Sequence, residues 1–106
     1  AFAPIICLMY YTIRMIRSIR GSATRQFLEG GRSRFRGLDE GLARRRLASL
    51  NAAASLEMLS PLRSVHLHKL RGDRAGFWAI SVNGPWRIVF RFKEGDAYEV
   101  EIVDYH

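Results

Sequence analysis

The sequence predicts an α+β fold in which an N-terminal strand and two helices pack on one face of a mainly antiparallel sheet of four or five strands. Two observations support this class. One stretch in the first half has apolar residues at helical spacing, and almost everything after Arg63 alternates apolar and polar residues between turn sequences. Helices followed by a run of strands are typical of an antiparallel sheet with its helices on one side.

The length and charge of the chain limit what it can be. Its 106 residues are enough for one hydrophobic core but not for two. Seventeen lysines and arginines oppose ten acidic residues, for a net charge of +7, and most of the basic residues are arginine. Because the arginine fork matches phosphate oxygens in pairs, this bias favours a polyanionic partner. An arginine-rich proteome is the alternative explanation.

The chain opens with thirteen almost wholly apolar residues, "AFAPIICLMYYTI". They are too few to span a bilayer, and neither preceding basic residues nor a small-residue cleavage site indicates a signal peptide. We therefore expect residues 1–14 to be an apolar extension outside the core domain, which comprises residues 15–106 and has Met15 as its natural first residue. The alternative is a segment that packs on the domain or on a partner.

Cysteine and histidine usage indicates a protein without disulfides or metal. The single cysteine, Cys7, cannot form an internal disulfide, so we expect a reducing, cytoplasmic location, with no membrane association and no cofactor. His66 and His68 stand two apart in "VHLHKL", but no third ligand is near them in sequence. They are more simply interpreted as polar residues on an open face.

The first half of the chain predicts a short strand and two helices. An imperfect alternation from Met15 is compatible with a strand, and Ser22 or Thr24 can cap a short helix that stops at Gly30. The second helix is the stronger prediction, with Asp39 and the following glutamate at its positive end. Its apolar face comprises Ala43, Leu47, Leu50 and Ala54.

The second half predicts four strands joined by hairpin connections, with sequences "VHLHKL", "FWAISVN", "WRIVFRF" and "AYEVEIVDYH". Turns are expected at residues 71–76, 83–85 and 94–96. The third strand divides most clearly: Arg87, Val89 and Arg91 share one face, opposite Trp86, Ile88, Phe90 and Phe92. One face of this sheet would pack on the helices and leave the other free.

The free face is where chemistry is expected. If the strands are neighbours, their polar faces bring together a basic, titratable group of residues comprising His68, Arg71, Arg87 and some of Asp104, Tyr105 and His106. Cleavage of RNA through attack of a 2′-hydroxyl on its own 3′-phosphate needs a base, an acid and positive charge on the transition state. Histidine and arginine supply these groups near neutral pH, and an aromatic ring can stack on an unpaired base.

Long motifs in the sequence resemble a known family. From Met15 onward, "MIRSIR", "HKLRGDRAGFWAISVNGPWRIVFRF" and "GDAYEVEIVDYH" are similar to the HigB branch of the RelE-like bacterial toxins, the plasmid-maintenance or killer toxins. The resemblance implies a RelE-like fold and a metal-independent, ribosome-dependent messenger-RNA endonuclease that inhibits translation. It also implies neutralisation by a HigA-like helix-turn-helix antitoxin, through which alone the toxin would bind operator DNA.

The resemblance also implies catalytic roles for particular residues, which are His68, Arg71, Arg87, Asp104, Tyr105 and His106. From their positions in the basic turn and on the basic side of the third strand, four arginines are expected to bind RNA: Arg71, Arg74, Arg87 and Arg91. The two histidines are expected to transfer protons, Arg71 and Arg87 to stabilise phosphate charge, Tyr105 to orient or stack, and Asp104 to position a neighbour.

Arg71 departs from the family pattern, which has lysine there. An arginine stabilises charge but is a poor proton donor, so an acid at this position would be lost. Two alternatives therefore stay open: a non-catalytic RNA-binding or ribosome-binding module of the same fold, and a structural partner of a larger complex that uses the apolar extension as an interface.

Overall fold

The computed structural model describes residues 16–31, 33–59 and 65–104. Two helices precede the strands: α1 comprises Ser22–Leu28 and α2 comprises Glu40–Ala52. Four strands follow, and their bounds are β1 at His68–Lys69, β2 at Trp78–Ser81, β3 at Trp86–Lys93 and β4 at Asp96–Asp104. Single 3₁₀ turns lie at Leu56–Met58 and Gly72–Arg74. The α+β class predicted from the sequence is confirmed.

The four strands form one antiparallel sheet in the order β1-β2-β3-β4, so each strand pairs with its neighbour in sequence. The turn between β3 and β4 has Glu94 at φ 50° and Gly95 at φ 85°, the two positive φ values that a tight type I′ hairpin turn requires. The segment before α1 joins the other edge of β4 through isolated parallel bridges, Ile16 to Ala97 and Ile19 to Val100. The predicted first strand is therefore reduced to two bridges.

An irregularity in β4 shapes this edge. Val89 pairs with Glu101, but Arg91 pairs with Tyr98, so β4 contains one residue more than β3 across this interval. Glu99 takes a left-handed conformation, with φ 53°, as expected of a β-bulge. Its backbone N–H leaves the ladder and donates to the hydroxyl of Ser18 at 2.8 Å. The bulge thus lets the N-terminal segment bond to β4.

Helix α1 ends as the sequence predicts. Gly30 has φ 86°, its N–H donates to the carbonyl of Phe27, and the N–H of Gly31 donates to the carbonyl of Gln26. This pattern is a Schellman motif, which favours glycine at the left-handed position.

The predicted cap at the start of α1 is wrong. Gly21 is the N-cap residue, and no side chain caps the helix. Thr24 is instead buried, and its hydroxyl accepts a hydrogen bond from the backbone N–H of Ile102 at 3.1 Å. Ser22 accepts a bond from Arg34. The hydroxyl of Thr24 serves a tertiary contact with β4 because the helix lies against that strand.

Helix α2 begins at the predicted acidic cap, where the Asp39 carboxylate accepts a hydrogen bond from the N–H of Leu42 at 3.0 Å. Its buried residues are Ala43, Leu47 and Leu50. The prediction fails for Ala54, because the helix ends at Ala52 and Ala54 lies exposed beyond it.

Two of the helical arginines of α2 fasten it to the rest of the fold. The guanidinium carbon of Arg44 lies 4.0 Å from the centroid of the Phe27 ring, and its Nη1 donates to the carbonyl of the same residue. Nε of Arg46 donates to the carbonyl of Ser81 in β2 at 3.1 Å. The basic face of α2 is therefore partly structural.

The main core lies between the helices and one face of the sheet. Phe27, Leu50, Ile80, Ile88 and Phe90 are all fully buried there. A second, smaller apolar cluster lies on the opposite face, and its residues are Leu70, Phe77, Ala79 and Val89, with Val103 packed against them. The predicted free face is thus apolar at its centre and polar around it.

We predict that Thr24→Val destabilises the fold by about 1–2 kcal/mol, because it leaves the buried N–H of Ile102 without an acceptor while hardly changing side-chain volume. Urea denaturation followed by circular dichroism measures this loss. Thr24→Ser is the control, since it keeps the hydroxyl and removes only a methyl group. A valine variant as stable as the parent protein would show that the hydrogen bond contributes nothing.

Candidate functional site

The candidate site lies on the sheet face opposite the helices, and the strand register fixes which residues share it. His68 pairs with Ala79, Ala79 with Val89, and Val89 with Glu101, so these four form one row across the sheet. The next row comprises Ser81, Arg87 and Val103. Directly paired residues in an antiparallel sheet point to the same side, so His68 and Arg87 share the open face. The structure thus brings these two predicted site residues to the same face of the sheet.

His68 is exposed on β1, and a hydrogen bond fixes its ring. Its Nδ1 lies 2.8 Å from the backbone carbonyl oxygen of His66. A carbonyl only accepts hydrogen bonds, so Nδ1 carries the hydrogen and the neutral ring has its lone pair on Nε2. His66 has φ 48°, a left-handed conformation that histidine adopts more readily than most residues. The ring therefore presents Nε2 as an oriented base on the open face.

Arg71 lies just after β1, at the start of the 3₁₀ turn Gly72–Arg74. It is exposed, and its guanidinium makes no hydrogen bond or ion pair with the rest of the described residues. Gly72 has φ 67°, a backbone conformation that favours glycine. A Cβ added to this residue would contact no described atom within 4 Å, so steric crowding is not the reason for glycine here. The turn thus places a full positive charge two residues beyond the histidine-bearing strand.

Arg87 is half-buried in β3, and its backbone neighbours hold its guanidinium. Its Nη1 donates to the carbonyl of Gly84 at 2.8 Å and to the carbonyl of Trp86 at 2.9 Å. Nε and Nη2 make no hydrogen bond within the described part of the chain. One end of the group is therefore fixed to the hairpin turn, and the other can bind an anion.

Arg74 and Arg91 also belong to this face. Nη1 of Arg74 lies 3.6 Å from Oε1 of Glu101, and Nη1 of Arg91 lies 3.5 Å from Oε2 of Glu99. The guanidinium groups of both arginines lie over the ring of Phe77, at 5.6 and 5.5 Å from its centroid. These two of the four predicted RNA-binding arginines are thus held by the same ring and by carboxylates of β4.

The terminal trio is only partly described. Asp104 ends β4, is exposed and pairs with Trp86, so by register it alternates with Val103 and lies on the helix side of the strand. Tyr105 and His106 lie outside the described residues. Asp104 is therefore placed one strand position away from the row that contains Arg87.

Sequence reasoning missed Phe77, Glu99 and Glu101. The alternation of "FWAISVN" places Phe77 on the face away from Ile80, but an aromatic residue there resembles an ordinary core residue. Glu101 stands between two apolar residues, a pattern that signals only a polar strand face. The contact that makes these residues notable needs the conformation of the turn Gly72–Arg74, which alternation does not encode.

Two further tests concern membranes and metals. No helix among residues 16–31, 33–59 and 65–104 is long and apolar enough to cross a bilayer. Within the same ranges, no three histidine, cysteine, aspartate or glutamate side chains are grouped so that they could hold a metal ion. Among the described residues, the open face carries an oriented imidazole, guanidinium groups and two carboxylates.

The arrangement suits the binding of a phosphodiester beside a base. Guanidinium groups bind phosphate oxygens through charge-assisted hydrogen bonds, and the imidazole can accept or return a proton. Two helices packed against a four-stranded antiparallel sheet are consistent with the RelE-like fold. Residues 18–106 match the family model described as the RelE-like toxin of the type II toxin-antitoxin system HigB, and the chain belongs to this family.

A similar curated protein gives the family a biochemical name. The chain is 44% identical over 62 residues to the Endoribonuclease HigB of Proteus vulgaris, and the alignment covers 58% of this chain. It covers 65% of the relative, less than two thirds of that protein's length.

We predict that neutral His68 exists mainly as the Nδ1–H tautomer, because its Nδ1 donates to the His66 carbonyl. A long-range ¹H–¹⁵N correlation spectrum of the labelled protein with the His68 ring neutral distinguishes the two tautomers. His68→Asn identifies the signal. A spectrum dominated by the Nε2–H form would show that the ring turns away from His66 and that Nε2 is not the free base.

Proposed function

We propose that this protein is a toxin that cleaves messenger RNA on the translating ribosome and so inhibits translation. The observation that carries the proposal is the exposed face on which His68 presents Nε2 in the company of Arg71 and Arg87. Membership of the HigB family and the similarity to a protein named as an endoribonuclease support the choice of RNA as substrate. Residues 15–106 would carry the activity as one domain.

The proposed reaction is an intramolecular transfer within the RNA. The 2′-oxygen attacks the adjacent phosphorus and the bond from phosphorus to the 5′-oxygen breaks, which leaves a 2′,3′-cyclic phosphate and a 5′-hydroxyl. One group takes the proton from the 2′-hydroxyl, and another gives a proton to the departing 5′-oxygen. His68 and His106 are the proposed pair for these two transfers, since an imidazole can accept a proton on one nitrogen and donate one from the other.

The arginines are proposed to stabilise the charge that builds up on the phosphate. Arg87 suits this role because its Nη1 is fixed to two carbonyl groups while its other nitrogens can bind oxygen. Arg71 adds a second cation from the neighbouring turn. Because arginine stays protonated, we assign Arg71 to charge stabilisation and leave both proton transfers to histidine.

Tyr105 and Asp104 are proposed to act around this centre. Tyr105 would orient the scissile phosphate or stack on a base, and Asp104 would position a neighbour. Asp104 lies on the helix-side position of β4, so its proposed partner is another residue at this end of the strand.

The proposed partners follow from the family. A type II system pairs each toxin with a protein antitoxin, so we propose a HigA-like helix-turn-helix antitoxin that covers the toxin and carries it to operator DNA. The remaining basic surface would contact ribosomal RNA, whose phosphates attract arginine without sequence preference. These partners imply a cytoplasmic location.

We expect His68→Ala and His106→Ala each to reduce cleavage by about 10²–10⁴-fold, because each removes one proton transfer. The purified chain and each variant are incubated with a defined messenger, with and without translating ribosomes, and new RNA ends are mapped by primer extension. His66→Asn is a matched control, since it removes a nearby imidazole and asparagine tolerates the left-handed backbone. Ribosome binding without any new RNA end in the parent protein would instead indicate a non-catalytic RNA-binding module.

We expect Arg71→Lys to retain cleavage within about tenfold and Arg71→Gln to lose about 10²–10³-fold, because the position needs positive charge in the transition state. The same primer-extension assay, run as a time course at saturating ribosome concentration, gives both rates. A lysine variant much faster than the parent protein would contradict this assignment, because it would show that the position transfers a proton.

A further inference from the structure

Phe77 holds two cations from different parts of the chain. Its side chain belongs to the small apolar cluster on the open face, and the residue is only 7% exposed. The guanidinium carbons of Arg74 and Arg91 both lie within 5.6 Å of its ring centroid. An arginine over an aromatic face is favourable, and a buried ring does not move away. Two positive charges are therefore held against one buried ring.

Each of these arginines faces a carboxylate on β4 that fits it poorly. Nη1 of Arg74 and Oε1 of Glu101 are 3.6 Å apart, beyond hydrogen-bonding distance, and both atoms are buried without a hydrogen-bond partner among the described residues. Arg91 and Glu99 are 3.5 Å apart, on a more exposed part of the face. Buried polar atoms without partners are unfavourable, so a ligand that satisfies Arg74 better has an advantage.

We propose that Arg74 and Arg91, anchored on Phe77, form a binding site for two phosphates of the RNA backbone, and that Glu101 and Glu99 are internal competitors for it. In the free protein each carboxylate occupies the guanidinium group that a phosphate takes when RNA binds. Carboxylate and phosphate oxygens fit the same arginine fork, which makes the exchange chemically direct. This inference rests on the proposed function in one respect, that the ligand is RNA.

The proposal and a structural role for Glu101 predict opposite changes in RNA affinity when Glu101 is removed. If Glu101 competes with phosphate, its removal strengthens RNA binding. If Glu101 instead holds Arg74 in the binding position, its removal weakens binding. A partly exposed ion pair contributes little free energy. A phosphate can therefore displace Glu101 from Arg74, and the gain in affinity on removing Glu101 is still large enough to measure.

The test measures the affinity of the full chain for a fluorescent 2′-O-methyl oligoribonucleotide of about ten nucleotides, which lacks the attacking hydroxyl. Anisotropy titrations at several potassium chloride concentrations give the affinity and its salt dependence. Glu101→Gln is expected to bind about two- to fivefold more tightly at low salt. Glu29→Gln is the control, because it changes the net charge equally at an exposed position after α1.

A double-mutant cycle assigns the effect to Arg74. Arg74→Gln is expected to weaken binding and to reduce the salt slope by about one phosphate contact. In that background, Glu101→Gln should give only the small gain seen for Glu29→Gln, because the competitor has lost its target. A gain of the same size with and without Arg74 would overturn the proposal. So would weaker binding by Glu101→Gln alone.

Phe77→Leu tests the anchor separately, because it keeps every charge and nearly the same apolar volume. Its affinity for the same RNA should fall about two- to fivefold while the thermal unfolding midpoint shows that the fold is kept. Unchanged affinity in the folded variant would remove Phe77 from the site.

The outcomes separate this inference from the proposed function. If the parent protein cleaves RNA on ribosomes but Glu101→Gln binds RNA no more tightly than Glu29→Gln, the proposed function stands and the competitor role of Glu101 is overturned. If the parent protein cleaves no RNA but the double-mutant cycle of Arg74 and Glu101 gives the expected affinities, the phosphate site stands and the proposed nuclease function is overturned.

Discussion

The antiparallel pairing of β3 with both of its neighbours is the constraint on which the rest of the structure depends. β3 lies between β2 and β4, and its alternate residues face the two sides of the sheet. Ile88 and Phe90 are fully buried against the helices, which fixes Arg87 and Arg91 on the other side. A shift of one residue would exchange the two sets, so burial of the core specifies the position of the arginines.

The bulge in β4 shows how a local irregularity supports this arrangement. Val100 and Ala97 both belong to the main core although they are three residues apart, a spacing that would put them on opposite faces of a regular strand. The extra residue, Glu99, shifts the alternation by one position, so that Ala97 before it and Val100 after it both face the main core. It also brings a carboxylate to Arg91, so one irregularity contributes both to the core and to the charged face.

The high arginine content serves two purposes in this chain. Arg44 and Arg46 bond to backbone carbonyl groups and connect α2 to α1 and β2. Arg74 and Arg91 on the open face are arranged differently, because the ring of Phe77 and two carboxylates of β4 hold them. Net charge by itself therefore overstates the surface available to RNA. The distinction follows from contacts that only the folded chain makes.

The sequence by itself determined the class of fold, the helix α2 with its acidic cap, and the division of β3 into an apolar and a basic face. These features follow from local periodicity, and periodicity is a property of consecutive residues. It also placed His68 and Arg87 on one face, since hairpins join the strands that carry them. Asp104, by contrast, is placed by register on the helix side of β4 and not on this face.

The tertiary structure alone decided how distant segments meet. The parallel contact of the N-terminal segment with β4, the use of Thr24 as an acceptor for Ile102, and the contact of Arg91 with the ring of Phe77 join separate elements of the chain. No repeating pattern encodes such contacts, because each depends on the exact path of a turn or bulge. The physical reason is that burial of apolar residues determines which side of the sheet a side chain faces. The path of the turns and bulges determines which residues that side chain contacts.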